Sequence, residues 1–160
     1  MRISWGASLT VPGANRLYDA IRGAYAFYAY ARSNAVAVNN SHVQIYNPVG
    51  SGIQLLIHTA FIAVATTDDI EVLRFDTELT SDVGAGVNMF LGGAAANGHI
   101  RRQTNATILG TTLGVFQIIA DISHSFLTPW SFELTPGQGL QFVPQTQNLA
   151  MDVNFTWIEL

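Results

Sequence analysis

The chain has 160 residues, enough for one domain with a real core, and only 11% of them are charged, for a formal net charge of −4. All seven basic residues are arginine and none forms a stripe, which argues against a nucleic-acid partner, and the absence of cysteine excludes disulfides and thiolate metal sites. The longest apolar run, 53–64, is too short to span a bilayer, and the first residues do not read as a secretion signal, so no membrane partner is expected. A surface this poor in ionised groups implies cover by other chains, hence an oligomer or a larger assembly.

In chain order, residues 1–34 read differently from the rest. Gly6, Pro12 and Gly13 break the first stretch, which reads as an extended arm. Residues 16–32 carry two competing patterns. Leu17, Ala20, Ile21, Ala24 and Tyr28 would make a helical stripe behind an Asn15 cap, whereas Tyr25, Phe27, Tyr28 and Tyr30 suit a short aromatic strand, and Gly23 weakens the helix. The reading favoured is irregular or extended. An arm of Ala and Tyr with few charges is suited to lie on a neighbouring subunit, with Trp5, Tyr18, Tyr25, Phe27, Tyr28, Tyr30 and Arg32 as the expected contacts.

Residues 35–160 form the expected β domain. Val36 and Val38 precede a turn at 39–41; 42–46 is a strand; Asn47-Pro48-Val49-Gly50-Ser51-Gly52 is a turn. Residues 53–64 are apolar on both faces, Leu55, Ile57 and Phe61 on one and Leu56, Ile62 and Val64 on the other, as in a strand dry on both sides. A strand at 70–75, a polar loop at 76–86, a short strand at 87–91 and a connection at 92–98 follow. Residues 100–112 alternate weakly, and 115–122 read as a buried strand. From Trp130 the alternation is regular: Trp130, Phe132 and Leu134, a reversal at 135–139, then Met151, Val153, Phe155 and Trp157 opposite Asp152, Asn154 and Thr156. About eight short strands and little helix predict an all-β, antiparallel, jelly-roll-like β-sandwich with an extended N-terminal arm, an immunoglobulin-like sandwich being the alternative.

Little here points to chemistry. His42, His58, His99 and His124 show no metal-ligand spacing, and a cupin-like enzyme would need two of them side by side. The acidic group Asp68, Asp69, Glu71, Asp76, Glu78 and Asp82 lacks a calcium-loop pattern and reads as a solvated loop and strand edge. The turn at 47–52 lacks the lysine of a phosphate loop, and Gly84-Ala85-Gly86 lacks the dinucleotide pattern. The expectation is a non-enzyme without cofactor or metal. Trp5, Tyr18, Tyr25, Tyr28, Tyr30, Tyr46 and Trp130 suit a protein interface or, as the alternative, stacking on sugar rings.

Two stretches also carry a family resemblance. Residues 35–64, through Asn47, Pro48, Gly50, Ser51 and Gly52, resemble a segment common in small virion proteins of tailed bacteriophages. Residues 134–160, through Pro136, Gly137, Phe155, Trp157 and Glu159, are similar to the close of their tumour-necrosis-factor-like jelly rolls. Where that family carries a basic residue after the first turn, this chain has Ile53 and Gln54. The resemblance implies a virion-located structural protein, commonly trimeric, of the capsid decoration or cement type. Its implied partners are further copies of itself and the major capsid protein or other virion proteins. A carbohydrate-binding module of a tail fibre, head fibre or baseplate is the other role it allows.

Overall fold

A computed structural model describes residues 23, 25–90, 92–126 and 132–160. Its strands, in order, are β1 (Ala26–Ser33), β2 (Asn40–Tyr46), β3 (Leu55–Val64), β4 (Asp68–Arg74), β5 (Ser81–Ala85), β6 (Val87–Asn88), β7 (His99–Asn105), β8 (Thr111–Ile118), β9 (His124–Phe126), β10 (Phe132–Leu134), β11 (Gly139–Pro144) and β12 (Met151–Glu159). Every pairing among them is antiparallel. One sheet runs β10-β3-β12-β1-β6, with β9 also on β3; the other runs β5-β7-β2-β11-β4-β8. They are called here the first and second sheets.

With the β5–β7 insertion set aside, the pairing is nested. β1 pairs β12, β2 pairs β11, β3 pairs β9 and β10, and β4 pairs β8. A long hairpin rolled over on itself pairs first with last and second with second-to-last in this way, which is the jelly-roll arrangement. The sandwich is therefore as expected. The insertion broadens it on one side, β6 extending the first sheet beyond β1, and β7 and β5 extending the second beyond β2.

The core lies between the sheets and follows the period-2 rule of half-buried strands. β12 contributes Met151, Val153, Phe155 and Trp157, all fully buried, and these meet Val43, Ile45, Ile70, Val72, Leu140 and Phe142 of the second sheet. Trp157 explains one glycine and shares in a second. A Cβ on Gly86 would run into the indole ring, and one on Gly98 would meet Leu55 at 3.0 Å and the indole at 3.2 Å.

The two turns that carried the family resemblance meet at one end of the sandwich. Asn47 N donates to Gln138 O (2.9 Å), and Gly137 N donates to Asn47 O (2.8 Å). The buried Asn47 side chain donates to Ile53 O and Leu134 O and accepts from Ser51 Oγ, while Gly50 and Gly52 adopt φ of 80° and 71°. Asn, Ser and Gly at these positions thus build a turn, and their role is structural.

Several expectations need correction, among them the polar loop at 76–86, whose second half is β5, paired with β7. Residues 26–33 are not arm: β1 sits between β12 and β6, so the sandwich starts before residue 35, while residues 1–22 lie outside the described residues. Val36 and Val38 are in an exposed turn, Val38 with φ 59°, and the strand begins at Asn40. The Asn-Asn-Ser signal misleads because Asn40 and Ser41 are buried, bonding to the carbonyls of Pro144, Gln145 and Leu149. The apparent two-faced dryness of 53–64 comes from a bulge. The register slips at His58, so Leu55 and Ile57 face the core before it, and Ala60, Ile62 and Val64 after it, leaving Phe61 outside. Finally, the strand placed at 115–122 is β8, an edge strand exposed over most of its length.

Candidate assembly interface

The outer faces of the two sheets are built differently. Beneath the second sheet's outer surface, His42, Gln44 and Gln141 are fully buried. Gln44 Nε2 donates to Phe75 O (2.9 Å) and Thr77 O (3.0 Å), and its Oε1 accepts from Leu79 N (3.0 Å), so one side chain clamps the segment after β4 across the sheet. Gln141 Nε2 donates to Leu109 O, which ties down the segment after β7. His42 lies near Gln141 and the Thr107 backbone, yet neither ring nitrogen makes a hydrogen bond of normal geometry. Burial pushes its pKa below the usual histidine value, the neighbouring polar groups only partly opposing this, so the ring is neutral at pH 7.

The first sheet's outer face is buried at one end, where Ala26 and Ile158 form a small apolar cluster with Leu56 packed against it, and is open along the rows that follow. β1 turns Tyr28, Tyr30 and Arg32 outward, because Phe27, Ala29 and Ala31 face the core. The register sets them in rows across the sheet: Val87, Tyr28, Thr156, Thr59; then Tyr30, Asn154, Phe61, Ser125; then Arg32, Asp152, Ala63. Tyr30 is 49% exposed, Phe61 43% and Val87 68%, with Tyr25 at 59% just before β1.

Three polar groups of this face are paired across the strands. Tyr28 donates its hydroxyl to Asn154 and Tyr30 to Asp152, both diagonal neighbours on β12, and Arg32 pairs with the other Asp152 oxygen at 2.9 Å. The hydrogen bond to Asp152 is the main reason the Tyr30 phenol sits above its usual pKa, and it keeps the hydroxyl a donor. Polar groups paired in advance lose little when another protein covers them.

The expected contact residues divide accordingly. Tyr28, Tyr30 and Arg32 are exposed and, with Asp152, Asn154, Phe61 and Val87, outline one surface, while Tyr25 is exposed just before β1, in the alternation phase of the inward-facing Phe27. Phe27 is not part of it: it is 4% exposed and stacks on Trp157 with ring centroids 5.8 Å apart. Trp5 and Tyr18 lie outside the described residues. Sequence reasoning missed Phe61 and Val87. The bulge hides the direction of Phe61, while Asp152 and Asn154 were visible as the polar side of the β12 alternation.

Charged groups gather elsewhere. Glu78 accepts from Arg101 Nε at 2.7 Å and meets His99 Nδ1 at 2.5 Å. Burial alone would raise the Glu78 pKa, but the hydrogen bonds of His99 and Arg101 together outweigh it and hold the carboxyl below its usual range. Asp76 pairs with Arg74, Asp68 with Thr146, and Glu71 with Thr112 and Gln145. The segment 76–79 covers the second sheet through Gln44, on the side of the molecule away from Tyr28 and Tyr30, so the acidic loop and the aromatics do not form one site. The histidines stand on separate elements, and no group of three His, Asp or Glu among the described residues is placed to hold a metal.

Glu159 has a different task. Its buried carboxylate accepts from Asn97 N, Asn97 Nδ2, Gly98 N and Trp157 Nε1, at 2.8 to 3.2 Å, which pins the connection before β7 to the end of β12. The Glu at the close of the chain is thus a clamp.

Comparison with family models, with curated proteins and with solved structures returns no match.

Proposed function

We propose that this chain is a structural subunit of a tailed-phage virion, a capsid cement or decoration protein. It assembles as a homotrimer and is placed against the major capsid protein or another virion protein. The observation that carries the reading is the open stretch of the first sheet's outer face around Tyr28, Tyr30 and Phe61. It is aromatic and internally hydrogen-bonded, in a chain without lysine whose opposite face is roofed by its own loops. The jelly roll and the two turn motifs are those the resemblance implies. In this role each copy acts additively: it buries apolar area worth about 25 cal/mol per Å² across a joint, and many copies together resist pressure from within. No bond is made or broken, and the function is the burial itself.

The test is assembly followed by binding. The purified protein should form an oligomer, and that oligomer should co-sediment with empty capsids of its phage at hundreds of copies per particle. A protein that stays monomeric and passes capsids by overturns the reading; a dozen copies would move it to a neck, vertex or tail position.

The exposed tyrosines favour a second reading, a carbohydrate-binding module of a fibre or baseplate. Sugar hydroxyls need unengaged partners, whereas Tyr28 and Tyr30 are already bonded to Asn154 and Asp152, so the interface reading is preferred. A glycan array with specific hits that Tyr30→Ala abolishes would reverse that preference.

A further inference from the structure

The Glu159 clamp holds a reactive dipeptide. Asn97-Gly98 is the only Asn-Gly pair in the chain. In a flexible chain such a pair modifies itself, because no Cβ hinders the glycine nitrogen from reaching the Asn side chain. The glycine N–H loses its proton to solvent and the nitrogen attacks the Asn Cγ. A C–N bond forms, the Cγ–Nδ2 bond breaks, and the amide nitrogen takes up a proton and leaves as ammonia. Water then opens the succinimide to aspartate or isoaspartate. A bulkier residue at 98 would slow the attack, but packing opposes one: a Cβ there would meet Leu55 at 3.0 Å and the Trp157 indole at 3.2 Å. The fold keeps the glycine and, with it, the reactivity.

Both nitrogens that the reaction uses are held by one carboxylate. Gly98 N, the nucleophile, donates to Glu159 Oε1 at 2.9 Å, and Asn97 Nδ2, the leaving group, donates to Oε2 at 2.9 Å. Asn97 N adds a third bond, to Oε1 at 2.8 Å. Glu159 is 7% exposed and is fixed from its other side by Trp157 Nε1 at 3.2 Å. Cyclisation has to give up the bonds to Gly98 N and Nδ2, and a negative charge beside the Gly98 N–H opposes loss of its proton. Asn97 is itself exposed, so water reaches the dipeptide and burial is not what restrains it.

We infer that Asn97-Gly98 is this chain's site of spontaneous deamidation, and that the buried Glu159 carboxylate holds the reaction in check. Once the reaction has run, a second carboxylate stands where Nδ2 had donated, facing Glu159. Isoaspartate also adds a methylene to the main chain, so the connection before β7 comes loose from the end of β12. Neither trimer nor capsid enters into this chemistry.

The full chain, its full-length Glu159→Gln variant and a synthetic peptide of residues 93–102 are incubated at mildly alkaline pH. Peptide mapping by mass spectrometry follows the one-dalton gain at Asn97. The wild type should deamidate about tenfold or more slowly than the peptide, and Glu159→Gln, which keeps the shape and loses the charge, should recover most of that factor. Gln44→Ala removes three hydrogen bonds on the other sheet without touching the clamp, and should stay as slow as the wild type. A wild type as fast as the peptide overturns the inference, as does a Glu159→Gln variant as slow as the wild type. Equal acceleration in Glu159→Gln and Gln44→Ala also overturns it, and assigns the protection to the stability of the whole fold.

Discussion

The two outer faces of this sandwich solve the same problem in opposite ways. On the second sheet, glutamines buried beneath the surface reach out to backbone carbonyls and hold loop segments over it, so the cover comes from the same chain. On the first sheet, tyrosines bond sideways to Asn154 and Asp152 and leave their rings in the open. The difference teaches that a β face can be dry in two senses. One is finished by folding; the other, in the proposed role, awaits a partner, with Tyr28, Tyr30 and Arg32 already paired to Asn154 and Asp152. Substitutions should therefore sort by face, those on the second sheet costing stability and those on the first costing assembly.

The largest effect expected is at Gln44. Gln44→Ala would leave Phe75 O, Thr77 O and Leu79 N without their side-chain partner, at a cost of about 3 kcal/mol or more, read as a fall in the urea midpoint of unfolding. The counterpart on the other face is Phe61→Asp. It should leave the unfolding midpoint of the protomer nearly unchanged while weakening self-association about 100-fold or more, measured by sedimentation. If the two variants exchange phenotypes, the comparison between the faces is wrong.

A smaller effect sharpens the contrast through pH. His42 is neutral and buried in the fold, with its pKa lowered from 6.5. As the pH drops below that value the unfolded chain takes up the proton first, so stability declines until the folded pKa is reached. The difference in stability between wild type and His42→Asn should shift by at most about 1.4 kcal/mol per pH unit below pH 6.5 and be flat above it. A flat difference throughout would mean that the loop over His42 opens to admit solvent. The smallest effect belongs to Arg32→Ala. Its exposed ion pair with Asp152 should contribute under about 1 kcal/mol to protomer stability, by thermal unfolding at low and high salt.

How much of this was legible in the sequence follows from the range of the interactions. β12 could be read directly, because Met151, Val153, Phe155 and Trp157 alternate with polar residues and the fold keeps that alternation. β2 was legible in its middle but not at its start, since Asn40 and Ser41 look like turn residues until their partners near Pro144 and Leu149 are in place, more than a hundred residues away. β1 was ambiguous because its outward residues are tyrosines and its inward ones mostly alanines, a pattern that does not separate arm from sheet. A one-residue bulge at His58 is invisible in composition, yet it reverses the direction of Phe61. β8 was read as buried because it is apolar; apolarity at an edge marks a surface to be covered, and the sequence alone does not say by what. The candidate surface was half visible, in Tyr28, Tyr30 and Arg32. The rest depends on which strands become neighbours.

The central claim is that the open stretch of the first sheet's outer face is covered in the assembled protein, and mass in solution tests it most directly. Sedimentation equilibrium of the full chain should give a multiple of 17.3 kDa, three-fold if the proposed trimer is right, and Phe61→Asp should return the mass to a single copy. A full chain that sediments at 17.3 kDa at every concentration, or an oligomer indifferent to Phe61→Asp, would contradict it.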